Sequence, residues 1–110
     1  MTQDEISRLP DERLIALAKL AAESSNVTDG YDNFVLSVLI GGDFNPLVST
    51  SHAMIVAANL DMTISFGSQV VLVNEPDGYE SRTVGYSGSG RLAAMRKAIT
   101  LLAADSAQYI

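Results

Sequence analysis

The stretch Met62 to Tyr86, MTISFGSQVVLVNEPDGYESRTVGY, decides how the rest of the chain is read. Met62 to Phe66, Gln69 to Asn74 and Glu80 to Tyr86 are short, rich in β-branched and aromatic residues, and separated by turn chemistry, which predicts three strands. Gly67-Ser68 has the composition of a two-residue hairpin turn. Glu75-Pro76-Asp77-Gly78 carries proline and glycine where a type I turn with a glycine bulge uses them. Connections this tight force an antiparallel meander. Within it Val70 to Val73 is apolar without alternation, the pattern of a central strand covered on both faces, so the sheet is expected to lie between helical layers.

Upstream of the meander, Pro10 to Ser24 reads as a helix. Proline suits the first turn, Asp11 and Glu12 complement the positive end of the helix dipole, and Leu14, Leu17, Ala18 and Ala21 recur at helical spacing, with Ile15 and Leu20 widening the stripe. Thr2 and Glu5 have capping-box spacing, which allows a helical turn within Met1 to Arg8. Ser24 to Asn33 has loop composition, and Phe34 to Ile40, FVLSVLI, reads as a fourth strand ended by Gly41-Gly42-Asp43. Asn45-Pro46 turns the chain into a helix over Ser49 to Asn59, with Ala53, Val56, Ala57 and Leu60 on one face and burial expected on more than one side. A last helix over Gly90 to Gln108 carries a core stripe of Leu92, Met95, Ile99 and Leu102. Beside it runs a surface of Ala94, Ala98, Leu101 and Ala104.

The 110 residues suffice for one domain, 1–110, and are too few for two. Thirteen acids against seven bases give a net charge of minus 6, which argues against nucleic acid and anionic membranes as partners. No cysteine is present, so thiol catalysis, disulfides and Cys-ligated zinc are excluded, and one histidine with scattered carboxylates supplies no metal set. No cofactor is expected. Met1 to Arg8 lacks the features of a secretory signal and no apolar run approaches the ~20 residues of a membrane span, so a soluble, cytoplasmic protein is expected. For the same reason the glycosylation pattern Asn26-Val27-Thr28 carries no weight.

Chemistry concentrates at two predicted helix starts. Tyr86-Ser87-Gly88-Ser89-Gly90-Arg91 lies between a strand and a helix, where glycines allow close backbone approach, unpaired amides face outward and Arg91 offers a bidentate grip on phosphate. Gly88 to Ala93 matches G-x-G-x-x-A, but no strand or acidic ribose ligand follows, so a dinucleotide fold is rejected. Asn45, Ser49 and Ser51 form a similar cluster at the earlier start. With Arg82, Tyr86 and Arg91 the two starts are expected to frame an anion-binding cleft, while plain turning and capping is the competing account of the same residues. His52, the only histidine, is the one candidate for a hydrolytic base.

Three segments together resemble the phage ABA-sandwich domain: the Leu9 to Ile15 entry LPDERLI, the Phe44-Asn45-Pro46 turn leading through Ser49-Thr50-Ser51 into His52 to Val56, and the Gly90 to Met95 opening of the last helix. The chain departs from the family pattern in having no tryptophan. The resemblance implies an α+β, three-layer α/β/α sandwich around a mainly antiparallel sheet, here of about four strands with three helices. By analogy with small accessory phage proteins it implies sequestration of a nucleotide-derived immune signal or of a host protein. Three functions follow: a non-enzymatic, oligomeric anti-defence protein that captures a phosphate-bearing small molecule of cyclic nucleotide or ADP-ribose type; a protein–protein interaction module using the helix faces, in which a charge at Leu101 disrupts the interface; and a small hydrolase acting through His52. Homo-oligomerisation is expected from surplus apolar helix surface.

Overall fold

The computed structural model describes residues 1–24 and 42–109. The predicted Ser24 to Asn33 loop from residue 25 on, the strand over Phe34 to Ile40, the glycosylation pattern and the turn at Gly41 lie outside the described residues. The order of elements is α1 (Gln3–Ser7), α2 (Asp11–Glu23), α3 (Thr50–Asn59), β1 (Thr63–Gly67), β2 (Val70–Asn74), β3 (Ser81–Gly85) and α4 (Arg91–Ala107). The described chain is thus α+β.

Local chemistry accounts for the element ends. Thr2 Oγ1 accepts from the Glu5 amide at 3.2 Å while the Thr2 amide donates to Glu5 Oε1 at 3.1 Å, a closed capping box that starts α1. The Thr2 amide first, and then the Thr2 side chain, hold the Glu5 carboxyl below its ordinary range. Pro10 stands at the N-cap of α2, not inside its first turn. The Gly78 amide bonds to the Glu75 carbonyl at 3.0 Å with Gly78 at φ +74°, the tight turn that Glu75 to Gly78 predicted. The β1–β2 turn falls on Ser68 and Gln69, one residue later than predicted, with Gln69 in the left-handed region at φ +58°.

The three strands form an antiparallel sheet in the order β1-β2-β3. The register places Ile64 and Phe66 beside Val73 and Val71, and these beside Arg82 and Val84, on the face that meets the helices. The other face carries Thr63, Ser65, Gly67, Val70, Leu72, Asn74, Ser81, Thr83 and Gly85, which are exposed except for the half-buried Leu72 and Asn74. β2 is central as expected, but Val71 and Val73 are fully buried while Val70 is exposed. Among the described residues this run is covered on one side, and Ser, Thr and Gly of the neighbouring strands lie beside it on the other. Among the described residues, helices meet one face of the sheet.

α4 is the hub of the core and touches α1, α2, α3, β2 and β3. Met95, Ile99 and Leu102 form the expected stripe, whereas Leu92 is exposed. Ala94, Ala98, Leu101 and Ala104, expected as a free surface for a partner, are all buried, with Leu101 and Ala104 packed under Ile6 and Leu14. Small alanines let neighbouring backbones approach α4 on several sides, so the apolar surface of these four residues is buried within the chain. A charge at Leu101 therefore tests folding and not an interface. α3 buries Ala53, Val56 and Ala57 but leaves Met54 and Ala58 exposed, so its burial is one-sided and not the multi-sided burial expected.

Candidate anion site

Gly85 ends β3, and the Tyr86 amide reaches across to the Gln69 carbonyl at 2.9 Å, tying the chain leading into α4 to the β1–β2 turn. Gly88 then adopts φ +60°, a conformation that L side chains rarely take, and a side chain built there meets nothing within 4 Å. The backbone turns into α4 through Gly90, whose amide bonds to the Ser87 carbonyl at 3.3 Å. No side chain caps this helix, so the first amides of α4 have no side-chain acceptor. Ser89 is exposed and does not cap the helix.

Between the β1–β2 turn and this segment lies a cavity of about 450 Å³ lined by Gly67, Ser68, Gln69, Tyr86, Gly88, Ser89 and Arg91. Arg91 Nε donates to the Tyr86 hydroxyl at 3.0 Å, and the guanidinium carbon stands 5.8 Å from the centre of the Phe66 ring and 6.0 Å from that of Tyr86. These contacts set the guanidinium plane and leave Nη1 and Nη2 free of partners among the described residues. Among the described residues, one cation and no carboxylate line the cavity, in a chain of net charge minus 6.

A second hollow, about 410 Å³, has the opposite character and is lined by Glu75, Asp77, Tyr79, Glu80 and Tyr109. Burial first, then the nearby carboxylates of Asp105 and Glu75, push the Glu80 carboxyl above its ordinary range. Its Oε2 is shielded from solvent without a hydrogen-bond partner. Glu80 in turn raises the Tyr109 phenol. A carboxyl raised in the folded state contributes stability below its unfolded value and loses it as pH rises through the folded value. Glu80→Gln is therefore expected to raise stability at neutral pH, and the gap should close below about pH 4. Urea unfolding of both proteins across that range checks this, and a gap independent of pH would contradict it.

Of the ten residues expected to bind ligand, Tyr86, Gly88, Ser89 and Arg91 line the cavity, and Ser87 and Gly90 belong to the same segment without lining it. Arg82 is not part of it. Its guanidinium is buried at the other end of β3, paired with Asp105 through Nε–Oδ2 and Nη2–Oδ1 contacts of 2.7 Å each, and it also donates to Ser7 Oγ at 2.7 Å and the Gln3 carbonyl at 3.0 Å. Asn45, Ser49 and Ser51 do not line the cavity either. Asn45 Oδ1 accepts from the Leu47 amide at 3.0 Å, and Ser49 Oγ caps α3 by accepting from the His52 amide at 3.2 Å, so at this helix start capping describes the geometry. Ser49→Ala is expected to cost about 1 kcal/mol of stability. Ligand affinity at the Arg91 cavity should not change, and thermal unfolding with titration reads both.

His52 Nδ1 accepts from the Asn45 amide at 3.0 Å and its ring stacks on Phe44 at 5.7 Å. Among the described residues no carboxylate hydrogen-bonds it. None of the described residues form a group of three or more His, Asp or Glu placed to hold a metal ion, and no described helix is long and apolar enough to cross a membrane.

Gly67, Ser68, Gln69 and Phe66, assigned from the sequence to strands and a turn, were not among the expected binding residues. The meander itself carried the signal: in three antiparallel strands the first turn returns beside the exit of the third, so Gly67 to Gln69 must flank the residues after Gly85. No family model, curated protein or solved structure matches the chain.

Proposed function

We propose that the chain is a non-enzymatic binding protein that holds a phosphate-bearing small molecule in the cavity beside Arg91. On this reading it is a cytoplasmic anti-defence protein of phage ABA-sandwich type that sequesters a nucleotide-derived bacterial immune signal, such as a cyclic nucleotide or a molecule of ADP-ribose type. One observation carries it: in an acidic chain, no carboxylate among the described residues lines the cavity where a guanidinium is held by Tyr86 and Phe66 with its fork unoccupied. Ser68, Gln69 and Ser89 add hydroxyl and amide groups at the rim, and the uncapped start of α4 adds positive potential. His52, the candidate hydrolytic base, does not line the cavity, which supports binding without turnover. The fourth strand over 34–40 and a second helical layer belong to the same proposal and rest on the apolar, β-branched run and the family resemblance.

Calorimetric titration of a panel of cyclic nucleotides and ADP-ribose against the purified chain tests this reading. Heat with ligand recovered unchanged supports it; no heat and no thermal shift across the panel removes it. The protein-interaction reading draws on Leu20, Val48, Met54 and Leu92, apolar side chains that stay exposed, and so does self-association. Light scattering that returns a mass near 11.7 kDa would remove the oligomer.

A further inference from the structure

We infer that the Arg91 cavity selects a cyclic mononucleotide, a singly charged phosphodiester with one base, over nucleotides that carry two or more negative charges. The inference rests on the reading of the cavity as a phosphate site and narrows its ligand.

The charge available sets the first limit. Arg91 is the only cation among the described lining residues. Arg82 is neutralised by Asp105, and Arg96 spends its Nε on the Leu47 carbonyl at 3.1 Å and its Nη1 on Thr50 Oγ1 at 3.0 Å, toward the start of α3. Attraction to a single cation grows in proportion to ligand charge, whereas the cost of drying the ligand grows with its square. The surrounding net charge of minus 6 adds repulsion that also grows with ligand charge. One guanidinium therefore favours a monoanion. A cyclic phosphodiester has one negative charge, while a terminal phosphate or a pyrophosphate approaches or exceeds two at neutral pH.

Geometry sets the second. With Nε held by the Tyr86 hydroxyl, Nη1 and Nη2 present parallel donors that match the two non-bridging oxygens of a phosphodiester. Gly88, open above its backbone, leaves room for the sugar beside this fork. Phe66, 51% exposed and within cation–π distance of the guanidinium, offers an aromatic surface on which a base can stack. A hollow of about 450 Å³ has room for one nucleoside phosphate.

The test is titration calorimetry of the full chain with cyclic adenosine monophosphate, adenosine monophosphate and ADP-ribose at neutral pH, repeated on Phe66→Leu. The expected result is a lower Kd for the cyclic compound than for either of the others, weakened about fivefold or more in Phe66→Leu, whose thermal unfolding confirms that it folds. Equal or tighter binding of adenosine monophosphate or ADP-ribose overturns the inference and leaves the phosphate site standing. Unchanged affinity in a folded Phe66→Leu overturns the base-stacking part of it. No binding of any of the three overturns the inference and the proposed function together.

Discussion

Asp105→Ala is expected to destabilise the protein by about 3–5 kcal/mol and to lower Tm by more than about 10 °C. Asp105 is fully buried on α4 and takes both oxygens to Arg82 of β3, while Arg82 reaches Ser7 Oγ and the Gln3 carbonyl of α1. Gln3 Nε2 closes the circuit with bonds to Asp105 Oδ2 at 3.1 Å and the Ser81 carbonyl at 3.0 Å. Three elements are thus pinned by one ion pair, and removing the carboxylate leaves a buried guanidinium with its charge uncompensated. The size of the effect comes from that orphaned charge and not from the pair's net contribution, so the double variant Arg82→Met with Asp105→Leu should recover most of the loss. Denaturant unfolding of the single and double variants decides it. A single-variant loss below about 1 kcal/mol, the range of a surface pair, would contradict the account.

Arg91→Ala is expected to weaken phosphate-ligand binding by about 2 kcal/mol or more, at least about thirtyfold in Kd. Among the described residues, this side chain supplies the cavity's one positive charge and its one bidentate donor. Stability should change by less than about 1 kcal/mol, because the residue is exposed and loses only its contacts with Tyr86 and Phe66. Arg91→Lys should retain part of the charge effect and lose the fork, giving an intermediate Kd. Arg82 variants should show the inverse pattern, with stability falling and the cavity chemistry intact in whatever fraction stays folded.

The contrast between these two arginines shows where the sequence was legible. Element boundaries were written locally: Pro10 before α2, the Ser49 cap before α3, Glu75 to Gly78 between β2 and β3, and Gly88 with Gly90 before α4 each act within a few residues. Arg82 and Arg91 look alike in a list of cations. What separates them is Asp105, a partner 23 residues from Arg82 that only packing brings to its side. Leu101 and Ala104 misled for the same reason, since their burial depends on how α1 and α2 are laid over α4. On the sheet face away from the described helices, Ser65, Gly67, Thr83 and Gly85 on the flanking strands stand beside the apolar letters of β2. The site was half legible. Tyr86, Gly88, Ser89 and Arg91 stand in one segment, whereas Gly67 to Gln69 come from a turn made adjacent by strand pairing.

The claim on which the functional account depends is that the hollow beside Arg91, and no other surface, receives the anion. Amide chemical-shift mapping by NMR during titration with cyclic adenosine monophosphate tests it most directly. The account predicts saturable shifts at Gly67 to Gln69 and at Tyr86 to Leu92, with the Glu75 to Glu80 turn unmoved. Shifts centred on the start of α3, on the acidic hollow, or on no contiguous set of residues would contradict it.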